Sequence, residues 1–332
     1  MFFQLTSTIL LAVFLSLIAA PISISLAWRF KLIDRPGSEA HKIHHLPMPR
    51  AGGFIIFFVI IIGSALSGII ASSPIVPIIL ASVIILAFGI WDDINGIIAP
   101  WKMLGQLLAA LVLIWQGVMV HFTGVLAFDI LITIFWVIGI TNAFNLVDSM
   151  DGLASGLGVI TSIFLMIGTF NAGQESLALF GAILFGCSIG VFYFNYSLSR
   201  LFLGDSGAQL LGFTLASLAL AYTPPNLPQA SSWFVPILLF SIPIFDTTLV
   251  TVSRLRRNLP IYKASRDHTY HRLVALGVSP LKSVFTMHLA AIVINLFAFL
   301  ALFLPPLWAN IIFGSIFLIG LIAILWLDFR KY

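Results

Sequence analysis

Eleven apolar stretches joined by short polar connections constrain this chain more than any motif does. They cover residues 1–27, 51–71, 76–91, 103–120, 126–141, 155–170, 177–194, 207–222, 233–252, 284–304 and 309–327. Several lie near the minimum length for crossing a bilayer, where only helices and closed barrels satisfy their own backbone hydrogen bonds. With 332 residues, 60% of them hydrophobic and 8% charged, the chain has more apolar surface than a water-soluble globule can hide. The expected fold is therefore all-α, a polytopic integral membrane protein of about eleven transmembrane helices. The first stretch, uncharged and too long for a signal-peptide core, is read as a span.

The cationic residues test that count. Arg29, Lys31, Arg35, Lys42 and Arg50 precede the second stretch, Lys102 adjoins the end of the third connection, and Arg200 follows the seventh stretch. Seven more, from Arg254 to Lys282, fill the connection after the ninth, and Arg330 and Lys331 follow the last. With an external N-terminus and a cytoplasmic C-terminus, all sixteen fall on one face, as cytoplasmic loops require. That bias accounts for the net charge of +4, so no nucleic-acid partner is expected. Cys187 lies inside an apolar run, where it packs and offers no thiolate metal site.

Most carboxylates gather at the same face; only Asp129 and Glu175 fall near the other. The positive-inside rule does not require this. Five connections, 29–50, 92–102, 142–154, 195–205 and 254–283, carry the polar chemistry. The first, with Lys42 and Arg50 among Pro and Gly, suits a lipid phosphate, as an ordinary basic loop touching headgroups also would. The second sets Asp92 and Asp93 at a helix end, about 100° apart around the axis, so the two cannot share one task. One could bind metal while the other accepts a proton or orients a ligand. In the third, Asn142, Asn145, Asp148 and Asp151 recur every third residue, a polar stripe on a helix, ahead of Gly152. The fourth runs from Asn195 to Gly-Asp205-Ser-Gly, where Asp205 is either a helix N-cap or part of a metal-phosphate site. Asp246 lies deep in the ninth stretch, as a functional carboxylate or the partner of a loop arginine. The fifth holds His268 and His271, one helical face if helical, which lack a third ligand for zinc and suit contact with phosphate. Carboxylates, amides, Lys and flexible Gly without thiolates fit Mg²⁺ and phosphates.

The ordered set resembles the polyprenyl-phosphate N-acetylhexosamine-1-phosphate transferases of glycosyltransferase family 4. That bacterial membrane family includes enzymes starting O-antigen and teichoic acid synthesis and the relative that makes peptidoglycan lipid I. The resemblance runs from about Asp34 to Gly277 and rests on Asp92-Asp93, Asn145-Leu-Val-Asp-Ser-Met-Asp-Gly152 and Gly204-Asp205-Ser-Gly207 together. Ser149 stands where the family usually has Gly, and Tyr270 where many relatives have His.

The resemblance implies one transferase domain over residues 1–332, in a bacterial inner membrane, with its site built from the five cytoplasmic loops. It implies transfer of a HexNAc-1-phosphate, GlcNAc-1-phosphate before others, from a UDP-HexNAc to polyprenyl phosphate with release of UMP. Mg²⁺, or Mn²⁺ in its place, would be held by Asn145 and Asp205. Asp92 or Asp93 would take the acceptor's proton, although a lipid phosphate is already largely ionised near neutral pH. Lys42, Arg50, Lys102, Asn142, Asp148, Asp151 and Asn195 would bind substrate, and His268 and His271 would contact the sugar phosphate. Membrane lipid surrounds such a protein, and a homodimer is compatible with the family. A cation- or proton-coupled transporter is the alternative, since acids within a membrane often mark ion paths. No inverted repeat supports it.

Overall fold

The computed structural model describes residues 1–35, 46–197, 199–223, 232–260 and 267–330. The chain forms two compact units, Met1–Thr223 and Pro224–Tyr332.

The first unit is built from helices α1 (Phe2–Arg29), α2 (Gly52–Leu66), α3 (Ile75–Asn95), α4 (Ala99–Trp115), α5 (Leu126–Val147), α6 (Leu153–Asn171), α7 (Glu175–Phe192) and α8 (Gly204–Ala221). A π-helical turn, Tyr193–Ser197, continues α7. Two short strands, β1 (Ile33–Asp34) and β2 (Met48–Pro49), pair antiparallel with Ile33 opposite Pro49.

Local chemistry sets the helix ends. α3 stops where Gly96 takes a left-handed conformation (φ 64°), and α4 restarts with Pro100 in its first turn, where the missing N–H costs nothing. α4 thus begins earlier than the apolar run suggests. Trp91 and Trp101, 5.9 Å apart between ring centroids, flank this turn, a position that aromatic residues favour at a membrane-water interface.

α8 is the axis of the unit. Every residue from Ser206 to Ala219 is buried, and the helix packs against α3 and α5 most extensively, with α2 and α6 beside it. Its hydroxyls bond back to the helix: Thr214 to the Leu210 carbonyl at 2.9 Å and Ser217 to that of Phe213 at 2.7 Å. Close approach at its start depends on glycine. A Cβ on Gly89 of α3 would lie 2.4 Å from Ser206 Cα, and one on Gly52 of α2 would lie 2.6 Å from Leu203 Cα. Small residues let membrane helices approach backbone to backbone.

The second unit contains α9 (Val235–Leu239), α10 (Ser241–Arg256), α11 (Thr269–Ala275), α12 (Pro280–Ala301) and α13 (Pro306–Phe329). The stretch 233–252, expected as one span, is therefore two helices broken at Phe240. Pro243 explains the break, because its ring clashes with the carbonyl four residues back, at Leu239. Buried Leu249, Ile324 and Leu327 pack together with Phe245 and Leu276 against them. Polar ties surround this cluster: Arg256 Nε meets Asp328 Oδ2 at 2.5 Å, and Arg272 Nη1 donates to the Leu327 carbonyl at 2.9 Å.

Among the described residues, seven helices are long and apolar enough to cross a membrane: α1, α3, α5, α6, α7 with its π turn, α12 and α13. α2 and α4 are shorter apolar helices. The protein is a multi-pass, all-α membrane protein.

Candidate active site

In the first unit the polar residues of α3, α4, α5 and α8 meet at one end. That requires the C-terminal ends of α3 and α5 to lie beside the N-terminal ends of α4 and α8, as alternating passage through a bilayer dictates. Asp92 and Asp93 occupy the last turn of α3 and are buried, 3% and 9% exposed, so they are not solvated end-of-helix acids.

The two carboxylates have different partners. Asp93 faces the start of α8: its Oδ1 accepts the Asp205 N–H at 2.9 Å and its Oδ2 the Ser206 N–H at 3.0 Å. It thus supplies the negative charge that a helix N-terminus attracts, from a different helix. Gly204, with φ 72°, leaves room for this; a Cβ there would lie 2.9 Å from both Asp93 oxygens. Asp92 points the other way. Its Oδ1 accepts the Ile97 N–H at 3.0 Å, and its Oδ2 pairs with Lys102 Nζ.

Lys102 also reaches Asp205 Oδ1 at 3.1 Å, and Asn145 Nδ2 donates to the same oxygen at 3.0 Å. Asp205 is therefore not a helix N-cap. It stands in the first turn of α8 with its carboxylate turned to Lys102 and Asn145.

Arg50 closes another side. Its Nη2 meets Asp34 Oδ1 at 2.9 Å, and its Nη1 meets Asp93 Oδ1 at 3.4 Å and the Asp93 carbonyl at 3.2 Å. Burial works against the Arg50 charge, but Asp93 and Asp34 outweigh it and hold its pKa above the ordinary value. Backbone pairing brings it there: the Phe202 N–H donates to the Pro49 carbonyl at 2.9 Å, and the Ala51 N–H to that of Phe202 at 3.1 Å.

The expected stripe over 142–151 holds only in part. α5 ends at Val147, so Asn142 and Asn145 share its face while Asp148 and Asp151 lie in the turn before α6. That turn closes on Gly152, whose φ of 80° a helix cannot continue through. Loss of water around Asp148 raises its pKa well above the ordinary carboxylate range, and the charges of Asp151, Asp205 and Asp93 push it the same way. Negative potential is therefore concentrated here.

Asn142 and Asn195 turn to protein groups. Asn142 Nδ2 donates to Gln106 Oε1 at 2.6 Å, and Gln106 Nε2 donates to Asn142 Oδ1 at 3.3 Å and to Gln209 Oε1 at 3.1 Å. Gln106 and Gln209 lie one turn beyond Lys102 and Asp205 on α4 and α8, and Asn142 one turn before Asn145 on α5. The three amides thus clasp the helices that carry the site, directly beneath it. Sequence reasoning missed Gln209, although its four-residue spacing from Asp205 was visible. Asn195, 2% exposed, accepts the Gly152 N–H at 2.8 Å and the Ser155 hydroxyl at 3.1 Å, and donates to the Leu201 carbonyl at 3.0 Å. It braces two loops against each other.

In the second unit, His268 Nδ1 lies 2.7 Å from Asp246 Oδ2. Asp246 pairs with this histidine, where the sequence left a loop arginine as its competing partner. The His268 and His271 rings are 6.4 Å apart between centroids. Lys42 lies outside the described residues.

Among the described residues no three His, Cys, Asp or Glu side chains form a metal cage by themselves. The donor set nevertheless suits a cation that keeps water and phosphate ligands, because Asp92 and Asp205 already converge on one positive charge, the Lys102 ammonium.

Comparison with known families matches residues 75–223 to the model described as Glycosyl transferase family 4. The chain is 29% identical to the Probable undecaprenyl-phosphate N-acetylglucosaminyl 1-phosphate transferase of Bacillus subtilis, over 92% of this chain and 88% of that protein. It is 27% identical to the Decaprenyl-phosphate N-acetylglucosaminephosphotransferase of Mycobacterium tuberculosis, over 89% of this chain and 83% of the other. A shorter match, 40% identical over 28% of this chain and 29% of the relative, is to the Phospho-N-acetylmuramoyl-pentapeptide-transferase of Limosilactobacillus fermentum. These relatives are named as transferases, which favours group transfer over the transporter alternative. The matched segment begins at α3 and ends after α8, so the part of the chain that is similar to glycosyl transferase family 4 contains Asp92, Asp93, Lys102, Asn145 and Asp205.

Proposed function

We propose that this protein transfers GlcNAc-1-phosphate from UDP-GlcNAc to a polyprenyl phosphate and releases UMP, initiating a cell-envelope glycan at the cytoplasmic face of a bacterial inner membrane. The observation that carries this reading is the convergence of Asp92, Lys102, Asn145 and Asp205 at one end of the helices within the matched segment. The names of the long-matching relatives support the lipid phosphate acceptor and the N-acetylglucosaminyl group. Eleven crossings, with the N-terminus outside, follow from the charge distribution and belong to the same proposal.

An oxygen of the lipid phosphate attacks the β-phosphorus of the donor, and the bond from that phosphorus to the UMP oxygen breaks. Both reactants are anions, so positioning and charge neutralisation carry the catalysis. An ammonium has three N–H donors. Lys102 commits two directions to Asp92 and Asp205, which leaves a donor for a phosphate oxygen. Asp205 and Asn145 would hold Mg²⁺, which when bound would neutralise charge developing on the leaving phosphate. Asp93 serves as an anchor for α8 and not as a base, since both its oxygens accept backbone N–H groups and the acceptor needs little deprotonation. Asp148 and Asp151 orient the nucleotide. His268 and His271 keep the role the family resemblance implies, contact with the sugar phosphate.

The purified protein should release UMP from UDP-GlcNAc in the presence of polyprenyl phosphate and Mg²⁺, and chelation should stop it. Asp205→Ala should abolish that release. Mg²⁺-dependent turnover by Asp205→Ala would overturn the metal assignment, and turnover without lipid phosphate would overturn the acceptor.

A further inference from the structure

The second unit buries an amide that bonds to nothing around it. Asn295 of α12 is 0% exposed, and neither its Nδ2 nor its Oδ1 meets a hydrogen-bond partner among the described residues. It lies on the buried stripe of α12 between Ala291 and Ala298, while Val293, Leu296 and Phe297 at the same level are exposed. That stripe faces protein, since α12 packs against α9, α10 and α13. An amide without partners among apolar side chains is costly, because it gives up its bonds to bulk water for nothing in return. A second such group stands at the same depth. α10 begins at Ser241, beside the break at Phe240, without a side-chain cap, so its first N–H groups have no partner within their own helix. The Ser241 hydroxyl oxygen is covered as well and has no hydrogen-bond partner among the described residues. The end of α10 and the start of α12 lie on one side, because α11 connects them and packs against both. Ser241 is fifteen residues before Arg256 and Asn295 fifteen after Pro280, so each stands about 22 Å from that side.

We propose that these groups bind an ordered water, which bridges the Asn295 amide to the Ser241 hydroxyl and the first turn of α10 and so holds the broken helix in its bent form. The chemistry selects water. Nδ2 needs an acceptor and Oδ1 a donor; an anion answers only the first need and a cation only the second, whereas water answers both. Ala291 and Ala298 give it room, because their side chains end at Cβ on either side of the amide. Broken helices persist within membranes where a neighbouring helix and ordered water satisfy the backbone groups that the break releases. A buried water typically makes about three such bonds.

The test follows thermal unfolding of the full chain in detergent for wild type, Asn295→Leu, Ser241→Ala and the double variant. Leucine is close to asparagine in shape but cannot hydrogen-bond, so it strands the Ser241 hydroxyl and the α10 N–H groups. The melting temperature should fall by about 2–4 °C. Because one water serves both residues, the double variant should fall by less than the two single changes together. An Asn295→Leu protein as stable as wild type, or more so, would mean that the amide has no partner to lose and would overturn the proposal. Changes that add in full would also overturn it, since overpacking by leucine has no reason to depend on Ser241. If Asn295→Leu cannot be purified, a high-resolution cryo-EM map of the wild type decides. Density for a water within hydrogen-bond reach of the Asn295 amide is expected there, and its absence would remove the site. These readouts are independent of the transfer reaction.

Discussion

Asp92 and Asp93 are adjacent and chemically identical, yet they do different work because each faces a different helix. Asp93 holds two N–H groups of α8 and Asp92 holds Lys102. Asp93→Asn keeps the shape but replaces one acceptor with a donor facing a backbone N–H. Losing a buried hydrogen bond to a charged group costs about 2 kcal/mol. The variant should therefore melt several degrees lower in detergent and lose turnover in parallel, as read by a thermal-shift assay and UMP release. Lost turnover at an unchanged melting temperature would instead mark Asp93 as the proton acceptor. The sequence showed that the two side chains diverge by about 100°. It could not show which one meets α8, because that depends on packing between helices far apart in the chain. Asn195 illustrates the same limit: its polarity was plain, but its use as a brace between Gly152 and Leu201 depends on where two loops fold.

At the scale of elements, the site depends on how closely α3 lies to α8. The built Cβ on Gly89 would meet backbone, not a flexible side-chain end, so Gly89→Ala must separate the two helices. A misplacement of about 1 Å at a reacting centre can cost on the order of 100-fold in rate. Gly89→Ala should thus lose at least about 10-fold in kcat while still reaching the membrane. Gly139→Ala, on α5 with open space around it, should be unaffected. Equal activity in both variants would dissociate the glycine contact from catalysis. Most helices were legible as apolar runs because each is a local pattern. The break at Phe240 was legible too, through Pro243, but the run of apolar residues concealed it. The end of α5 at Val147 was missed because a spacing of three residues fits a helix whether or not the helix continues. The pairing of residues 49–51 with Phe202, which delivers Arg50, left no local trace.

For the whole molecule, the charge distribution assigns Thr123 to the outer face and Ser199 to the inner one. The single native cysteine is buried, which leaves a quiet background for labelling. A membrane-impermeant maleimide should label Thr123→Cys in intact cells and Ser199→Cys only after permeabilisation. The reverse pattern would invert the topology and place the acidic cluster outside. Finally, α8 has no lipid-facing side, since every residue from Ser206 to Ala219 is covered by protein. Its apolar side chains meet other helices and not lipid, so its neighbours, more than the bilayer, hold it in place. Asp205 is thus delivered by the last helix that the first unit can enclose. A chain whose earlier helices assemble poorly would reach the membrane in full amount and still be inert, so the amount of protein present is a poor guide to the amount that works.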